Sequence, residues 1–305
     1  MLVYPNAKIN LGLNIVRKRD DGFHDIETVF YPIALRDMLE FTPVDGASSF
    51  SSSGIDIPGS GDNLVMKALS LLQQDFKIEN RKVHLHKMIP IGAGLGGGSA
   101  DAAFMLKSLR EYFRLPLSND KLKEYAAKLG SDCSFFIDNQ PAYAWGRGEL
   151  MEPISLWLKD YHLLLVYPDL HISTAQAYSS VKPQEPQINV REVVQLPVDQ
   201  WKDKLINDFE VSAFEIHPQL IKLKEELYNM GAEYACMSGS GSSFFGIFKA
   251  NVMASSIRAA LTDKERRIFI TFKVNLEAAF QYPVFREVGF VADFARIDAV
   301  ENECA

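Results

Sequence analysis

Five glycines fall within the eight residues Ile91-Gly92-Ala93-Gly94-Leu95-Gly96-Gly97-Gly98, and Ser99 follows them. No regular helix or strand accommodates that density, because each interior glycine costs about 1 kcal/mol relative to alanine. The segment is therefore a loop whose backbone takes positive φ or is approached closely. Its flanks are regular. Arg81 to Ile89 sets Val83, Leu85 and Ile89 on one side of a strand, and Ala102, Leu106, Leu109 and Phe113 repeat at helical spacing. Strand, glycine loop and helix start in that order point main-chain N–H groups at an anion, and the helix adds about half a positive charge. Ser99 is expected as the helix N-cap or as a hydroxyl donor to phosphate.

Several loop types share this pattern. Gly92, Gly94 and Gly97 satisfy GxGxxG, the dinucleotide fingerprint. Against it, Pro90 interrupts the strand–turn junction, and Asp120 is the only acid near the required offset. A Walker loop is also approximated, but Gly98 stands where that loop has lysine. A tight turn without a ligand is the plainest alternative. The residues fit best a phosphate loop of another type, whose cation comes from elsewhere in the chain.

Composition narrows the class. At 305 residues the chain is expected to form two domains or one two-lobed unit. Hydrophobic residues at 47% and charged residues at 23% exclude a disordered chain and a collagen-like one. No apolar run reaches the roughly 18–20 residues of a membrane span, and Met1 to Asn6 lacks the pattern of a leader peptide. Three cysteines, Cys133, Cys236 and Cys304, form no CxxC pair, so neither a disulfide framework nor a zinc site is expected. A reducing cytoplasm fits them. Thirty-two basic against 39 acidic residues, net −7, argues against nucleic acid as a partner. An anionic ligand must then be held by local groups against the overall field.

The remaining pattern mixes strands and helices without strict alternation, which indicates α+β. Ala7 to Val16 alternates as a half-buried strand, Asp20-Asp21-Gly22 is a turn, and Ile26 to Leu35 is a second strand. Asp45 to Gly61 reads as loop with at most one short strand. Asp62 is expected to cap a helix carrying Leu64, Val65, Ala68, Leu69 and Leu72. Ser118 opens another, which Gly130 is expected to end in a left-handed conformation. Pro183 to Pro197 reads as a long connection. His217-Pro218 starts a helix that Gly231 closes, and a second small-residue loop, Ser238-Gly239-Ser240-Gly241-Ser242-Ser243, precedes the apolar run Phe244 to Phe248.

Pro90-Ile91-Gly92-Ala93-Gly94-Leu95-Gly96-Gly97-Gly98-Ser99-Ala100 resembles the second motif of the GHMP small-molecule kinases. Pro5-Asn6-Ala7-Lys8-Ile9-Asn10-Leu11, Arg19-Asp20-Asp21-Gly22-Phe23-His24, Gly130-Ser131-Asp132-Cys133, Asn207-Asp208-Phe209-Glu210 and Met237-Ser238-Gly239-Ser240-Gly241-Ser242 resemble further motifs of the branch acting on 4-diphosphocytidyl-2-C-methyl-D-erythritol. They occur in family order and cover about residues 4–248. The resemblance implies a two-lobed GHMP fold, with a ribosomal-protein-S5-like N-terminal lobe at 1–155 and a ferredoxin-like C-terminal lobe at 156–272. Residues 273–305 are left as an extension of unknown role, its polar end expected to fray. The implied reaction moves the ATP γ-phosphate to the 2-hydroxyl of that cytidine-diphosphate-linked polyol, in the non-mevalonate route to isoprenoids. Another GHMP kinase, of homoserine or mevalonate type, and a GHMP-fold binding protein without catalysis are the alternatives.

The same resemblance implies roles. Asp132 is the catalytic base, although an aspartate in Gly-Ser-Asp is more often a cap. Lys8 is the cation beside it, although a lysine in an alternating strand is ordinarily a surface residue. Pro90 to Ala100 bind ATP. Asn10 contacts the polyol hydroxyls, and Phe23 and His24 recognise cytidine, with Tyr178 as a second stacking ring. Read alone, Phe23 and His24 are an aromatic staple and a surface histidine. Ser238, Gly239, Ser240 and Gly241 support the phosphates, or else form a plain hairpin turn. Mg²⁺ is implied by ATP chemistry, with ligands that the sequence does not identify beyond Ser99 and Asp132 as candidates. No obligate protein partner is implied.

Overall fold

The computed structural model describes residues 1–58, 63–250 and 267–271. All lie in one contact-dense unit, Met1–Val274. The expectations for the extension 273–305 and for Cys304 fall outside the described residues.

The chain opens with β1 (Leu2–Val3), β2 (Asn6–Lys18), β3 (His24–Arg36), β4 (Met38–Pro43) and β5 (Ser49–Gly54). Then come α1 (Leu64–Asp75), β6 (Arg81–Lys87), α2 (Gly97–Phe113), α3 (Asn119–Ala127) and the single-turn α4 (Phe135–Asp138). Strands β7 (Ala142–Gly146), β8 (Leu150–Pro153) and β9 (Tyr161–Tyr167) follow. Next are α5 (Thr174–Ser180), α6 (Val190–Val193), α7 (Phe209–Ile216) and α8 (Gln219–Asn229). The described elements end with β10 (Tyr234–Met237), β11 (Phe244–Lys249) and β12 (Arg267–Thr271).

They build three four-stranded sheets, ordered β1-β4-β6-β5, β2-β3-β7-β8 and β10-β11-β9-β12. Pairing is antiparallel except between β5 and β6. Strand β6 buries its alternating apolar face, whereas β2, expected to be half-buried, is buried on both faces from Asn6 to Ile15 because the second small-residue loop and the glycine loop cover its polar side. Val83 and Leu85 of β6 face Val65, Ala68, Leu69 and Leu72 of α1 and the small residues of α2. Ile9, Leu11, Val29 and Ile33 of β2 and β3 share a core with Leu163, Leu165, Phe245 and Trp201. Leu13 and Ile15 continue it toward α7 and α8 through Phe209, Leu220 and Leu227. At about 25 cal/mol per Å² of apolar area buried, such clusters supply the main stabilising term.

Three local expectations change. Asn63, not Asp62, caps α1, accepting a hydrogen bond from the Val65 N–H. Gly130 is extended, with φ 171°, because the chain turns straight into a 3₁₀ turn, Ser131–Cys133, instead of reversing after α3. Ser99 lies inside the first turn of α2, and the N-cap is Gly96 at φ 69°. A left-handed glycine there lets the loop enter the helix without a side chain in the way. The stretch after Pro183 also holds the short helix α6.

Candidate active site

The glycine loop spans the gap between β6 and α2 and borders a cavity of about 670 Å³. Its glycines are needed for space as well as for φ. A Cβ on Gly94 would lie 1.9 Å from the Ser238 carbonyl oxygen, so the two small-residue loops touch backbone to backbone. A Cβ on Gly96 would come within 3.2 Å of the Lys8 side chain. Among the described residues, no side chain caps the N-terminus of α2. Its first N–H groups, aligned with the helix dipole, are thus left for a ligand.

Strand β2 brings Lys8 underneath this loop. Its backbone N–H donates to the Leu95 carbonyl at 3.0 Å, so the strand pairs with the loop itself. Lys8 is not at the surface; it is 3% exposed. Its ammonium donates to Asn10 Oδ1 at 2.5 Å and to the Gly94 carbonyl at 3.2 Å, and lies 4.9 Å from the centre of the Phe30 ring. A third contact reaches Asp132 Oδ2 at 3.4 Å. Asp132 sits in the 3₁₀ turn, half-buried at 33% exposure, on the open side of the pair. Lys8, Asp132, Gly94 and Gly96, distant in sequence, therefore meet at one point.

The second loop closes the site from the other side. Ser238 Oγ donates to the Gly94 carbonyl at 2.9 Å and accepts from the Asn10 N–H at 3.2 Å. The Asn207 amide donates to the Met237 and Gly239 carbonyls, both at 2.8 Å. Asp208 accepts from the Ile15 N–H at 2.6 Å, and burial raises its pKa. Glu210 accepts from the Met237 N–H at 2.8 Å and from Lys224 at 2.6 Å. Asn207-Asp208-Phe209-Glu210 was visible as a motif, but its work, anchoring the second loop and β2, was not. Ser240 lies farther out, its hydroxyl 3.4 Å from that of Thr174.

The expected cytidine residues form their own group. The His24 ring stacks on Tyr178 with centroids 4.7 Å apart, and Tyr178 meets Phe209 edge-on at 4.8 Å. Burial and the nearby Lys18 lower the His24 pKa, which favours a neutral imidazole with one donor and one acceptor. Burial and the charge of Asp132 raise the pKa of the Tyr178 phenol, so this ring stands within electrostatic reach of the carboxylate. Phe23 is exposed, and the Arg147 guanidinium lies over it at 4.9 Å. Arg147 carried no sequence signal. Asn10, by contrast, is fully enclosed, with Lys8, Thr28 and Ser238 as partners.

A second buried lysine lies close by. Lys87, at the end of β6, is held between Asp37 and Asp101, the latter at 2.8 Å. Asp37 also accepts from the Met88 and Ile89 N–H groups at 2.6 and 2.9 Å. Burial pulls the Lys87 pKa down, and the two carboxylates more than offset it. Burial pushes Asp101 up to about 8, against the opposing pull of Lys87. The carboxylates nearest the glycine loop are thus each paired with a lysine. Among the described residues, no cluster of three or more metal-ligating side chains occurs. Of the two candidate Mg²⁺ ligands, Asp132 is a one-third exposed carboxylate and Ser99 lies in the first turn of α2.

Residues 63–147 match the GHMP kinases N terminal domain, and residues 198–266 match the GHMP kinases C terminal domain. A Bacteroides fragilis 4-diphosphocytidyl-2-C-methyl-D-erythritol kinase is 52% identical over 252 residues, 81% of this chain and 92% of that protein. The chain belongs to the 4-diphosphocytidyl-2-C-methyl-D-erythritol kinases. A solved 4-(cytidine 5'-diphospho)-2C-methyl-D-erythritol kinase superposes with a TM-score of 0.76 at 30% identity, covering 88% of this chain and 98% of that one. The Methanococcus jannaschii mevalonate kinase, at 14% identity and a TM-score of 0.69, shares the fold. For this member of the 4-diphosphocytidyl-2-C-methyl-D-erythritol kinases, the α+β GHMP kinase fold expected from the motifs is the observed one. No described helix is long and apolar enough to cross a membrane.

Proposed function

We propose that this chain transfers the γ-phosphate of ATP to the 2-hydroxyl of 4-diphosphocytidyl-2-C-methyl-D-erythritol, with Asp132 as the base and Lys8 as its cationic partner. The observation that carries the reading is the Lys8 ammonium, which touches the glycine loop and the Asp132 carboxylate together. Phosphoryl transfer asks a protein for positioning and for charge placed where it develops. The loop amides and the α2 N-terminus hold the polyphosphate in the 670 Å³ cavity. Asp132 takes the hydroxyl proton as the new P–O bond forms and the bond to ADP breaks. Lys8 lies 3.4 Å from the carboxylate and faces the charge on the transferring group. Mg²⁺ enters with ATP as part of the substrate, its charge spread over the phosphates.

Cytidine recognition falls to the ring group. Rings 4.7 Å apart leave no slot between His24 and Tyr178, so the base stacks on an outer face while the neutral imidazole bonds its edge. Stacking of this kind is worth about 1–3 kcal/mol. Asn10 acts by holding Lys8, and reaches the polyol only if the pocket opens. Ser238, Gly239, Ser240 and Gly241 act as the wall that sets the glycine loop. A cytoplasmic setting suits the buried free thiols Cys133 and Cys236.

The test is ADP release measured with the cytidyl polyol, homoserine and mevalonate in parallel. Turnover with the first alone is expected. Turnover with either of the others in its place, or with none, overturns the assignment.

A further inference from the structure

Lys8 needs an acceptor at a fixed place, and the residue that supplies it is itself held by another. Asn10 Oδ1 faces the Lys8 ammonium at 2.5 Å. An amide has one acceptor end and one donor end, so its Nδ2 must find an acceptor on the opposite side. That acceptor is Thr28 Oγ1, at 3.0 Å. A threonine hydroxyl has a single proton, and here it is committed to the Gly12 carbonyl at 2.6 Å. With its proton spent, the hydroxyl can only accept from Asn10. The amide is thereby prevented from turning over, which would set its NH₂ against an ammonium.

The Gly12 carbonyl is available because β2 bulges there. The register between β2 and β3 shifts between Leu11/Leu13, with Leu13 opposite Thr28. Gly12 takes φ 65°, and a Cβ on it would lie 2.6 Å from Leu205. While still opposite Thr28, Leu13 also bonds the segment on its other side, donating to the Ile206 carbonyl at 2.8 Å and accepting from the Asp208 N–H at 2.9 Å. Thr28 is 0% exposed and Asn10 is 2% exposed, so water cannot replace either partner.

We infer that Thr28 is a positioning residue for catalysis, setting the Asn10 amide so that Lys8 is aimed at Asp132 through the chain Gly12–Thr28–Asn10–Lys8. The inference rests on Lys8 and Asp132 being the catalytic pair. Removing the hydroxyl leaves the Asn10 NH₂ and the Gly12 carbonyl buried without partners. The amide then rotates, and Lys8 loses its closest acceptor.

The test compares Thr28→Val, which keeps the shape, with Thr28→Ser, which keeps the hydroxyl. Both are assayed with ATP and the cytidyl polyol, and both are crystallised. Thr28→Val is expected to lower kcat tenfold or more with both KM values changed less than threefold. In its crystal the Lys8 Nζ to Asp132 distance should exceed 4 Å. Thr28→Ser should stay within threefold of the parent in kcat, with Lys8 unmoved. A valine variant with kcat within twofold of the parent, or with Lys8 unmoved, overturns the inference. So does equal loss in the valine and serine variants, which would point to packing. Should the valine variant not fold, Thr28→Cys, with a weak thiol donor, is read by the same two measurements. A wild-type protein inactive on the cytidyl polyol, with Lys8 still displaced in the valine crystal, would sink the substrate assignment and leave the positioning role standing.

Discussion

Two lysines, Lys8 and Lys87, run under the same glycine loop, are equally buried, and are held in different ways. A Cβ on Gly96 would meet Lys8, and a Cβ on Gly97 would meet the Lys87 Nζ at 2.9 Å. Their partners separate them. Lys87 is clasped by Asp37 and Asp101, at 0% and 2% exposure, and Asp37 also fixes the end of β6 through two N–H groups. Lys8 has neutral acceptors at its back and one carboxylate, long at 3.4 Å and one-third exposed, at its front. Burial and charge alone do not mark a catalytic lysine. What sets Lys8 apart from Lys87 is a loosely held contact that opens on a cleft.

The sharpest way to break this comparison is to remove the open carboxylate. Asp132→Asn should lower kcat by 10²–10⁴, the usual contribution of a positioned base. The ATP KM and the melting temperature should barely change, because Asp132 is one-third exposed. Steady-state ADP release and thermal melting read both. Near-normal kcat would make Lys8–Asp132 a second clasp and end the distinction.

Lys87→Met should show the opposite pattern. Stranding the buried Asp37 carboxylate beside the Asp101 carboxyl costs about 3–5 kcal/mol. Urea unfolding should register that loss, while the folded fraction keeps turning over within about tenfold of the parent. A large kcat loss without destabilisation would put Lys87 in the chemistry.

Gly94→Ala tests the contact between the loops. The alanine would be forced to φ 77°, worth about 1–2 kcal/mol, and its Cβ would overlap the Ser238 carbonyl. A raised ATP KM together with a lower melting temperature is expected. Gly98→Ala, whose Cβ meets only the far end of Leu64 at 3.8 Å, should lose much less stability.

What was legible in the sequence was local. The loop's glycine density, the strand before it and the helix after it are set by near neighbours. Lys8 and Asp132 were found only through resemblance, because their meeting depends on a strand and a turn more than a hundred residues apart. The Asp37–Lys87–Asp101 clasp left no trace, since its members occupy three elements and no spacing rule links them. Ser99 and Gly130 misled because each has a familiar helix-end identity. Tertiary context overrode both, Gly96 taking the cap and Asp132 the turn after Gly130. Asn10 was read through the resemblance as a contact to the polyol, and its hydrogen bond to Ser238, far along the chain, left no local signal.

The gentlest probe of the comparison is pH. Burial raises the Asp101 pKa from 3.8 to about 8, so the folded state holds a proton that the unfolded state releases. Stability from this group is complete below about pH 4 and is lost as pH rises toward 8, flattening above it. Between pH 7 and pH 9 the loss is on the order of 1 kcal/mol. Asp101→Asn cannot ionise and should show a correspondingly flatter profile in urea unfolding. If Asp101→Asn and the parent fall in parallel from pH 7 to pH 9, the clasp holds no extra proton. Lys87 would then sit between two ionised carboxylates, with net negative charge directly beneath a loop built to receive phosphate.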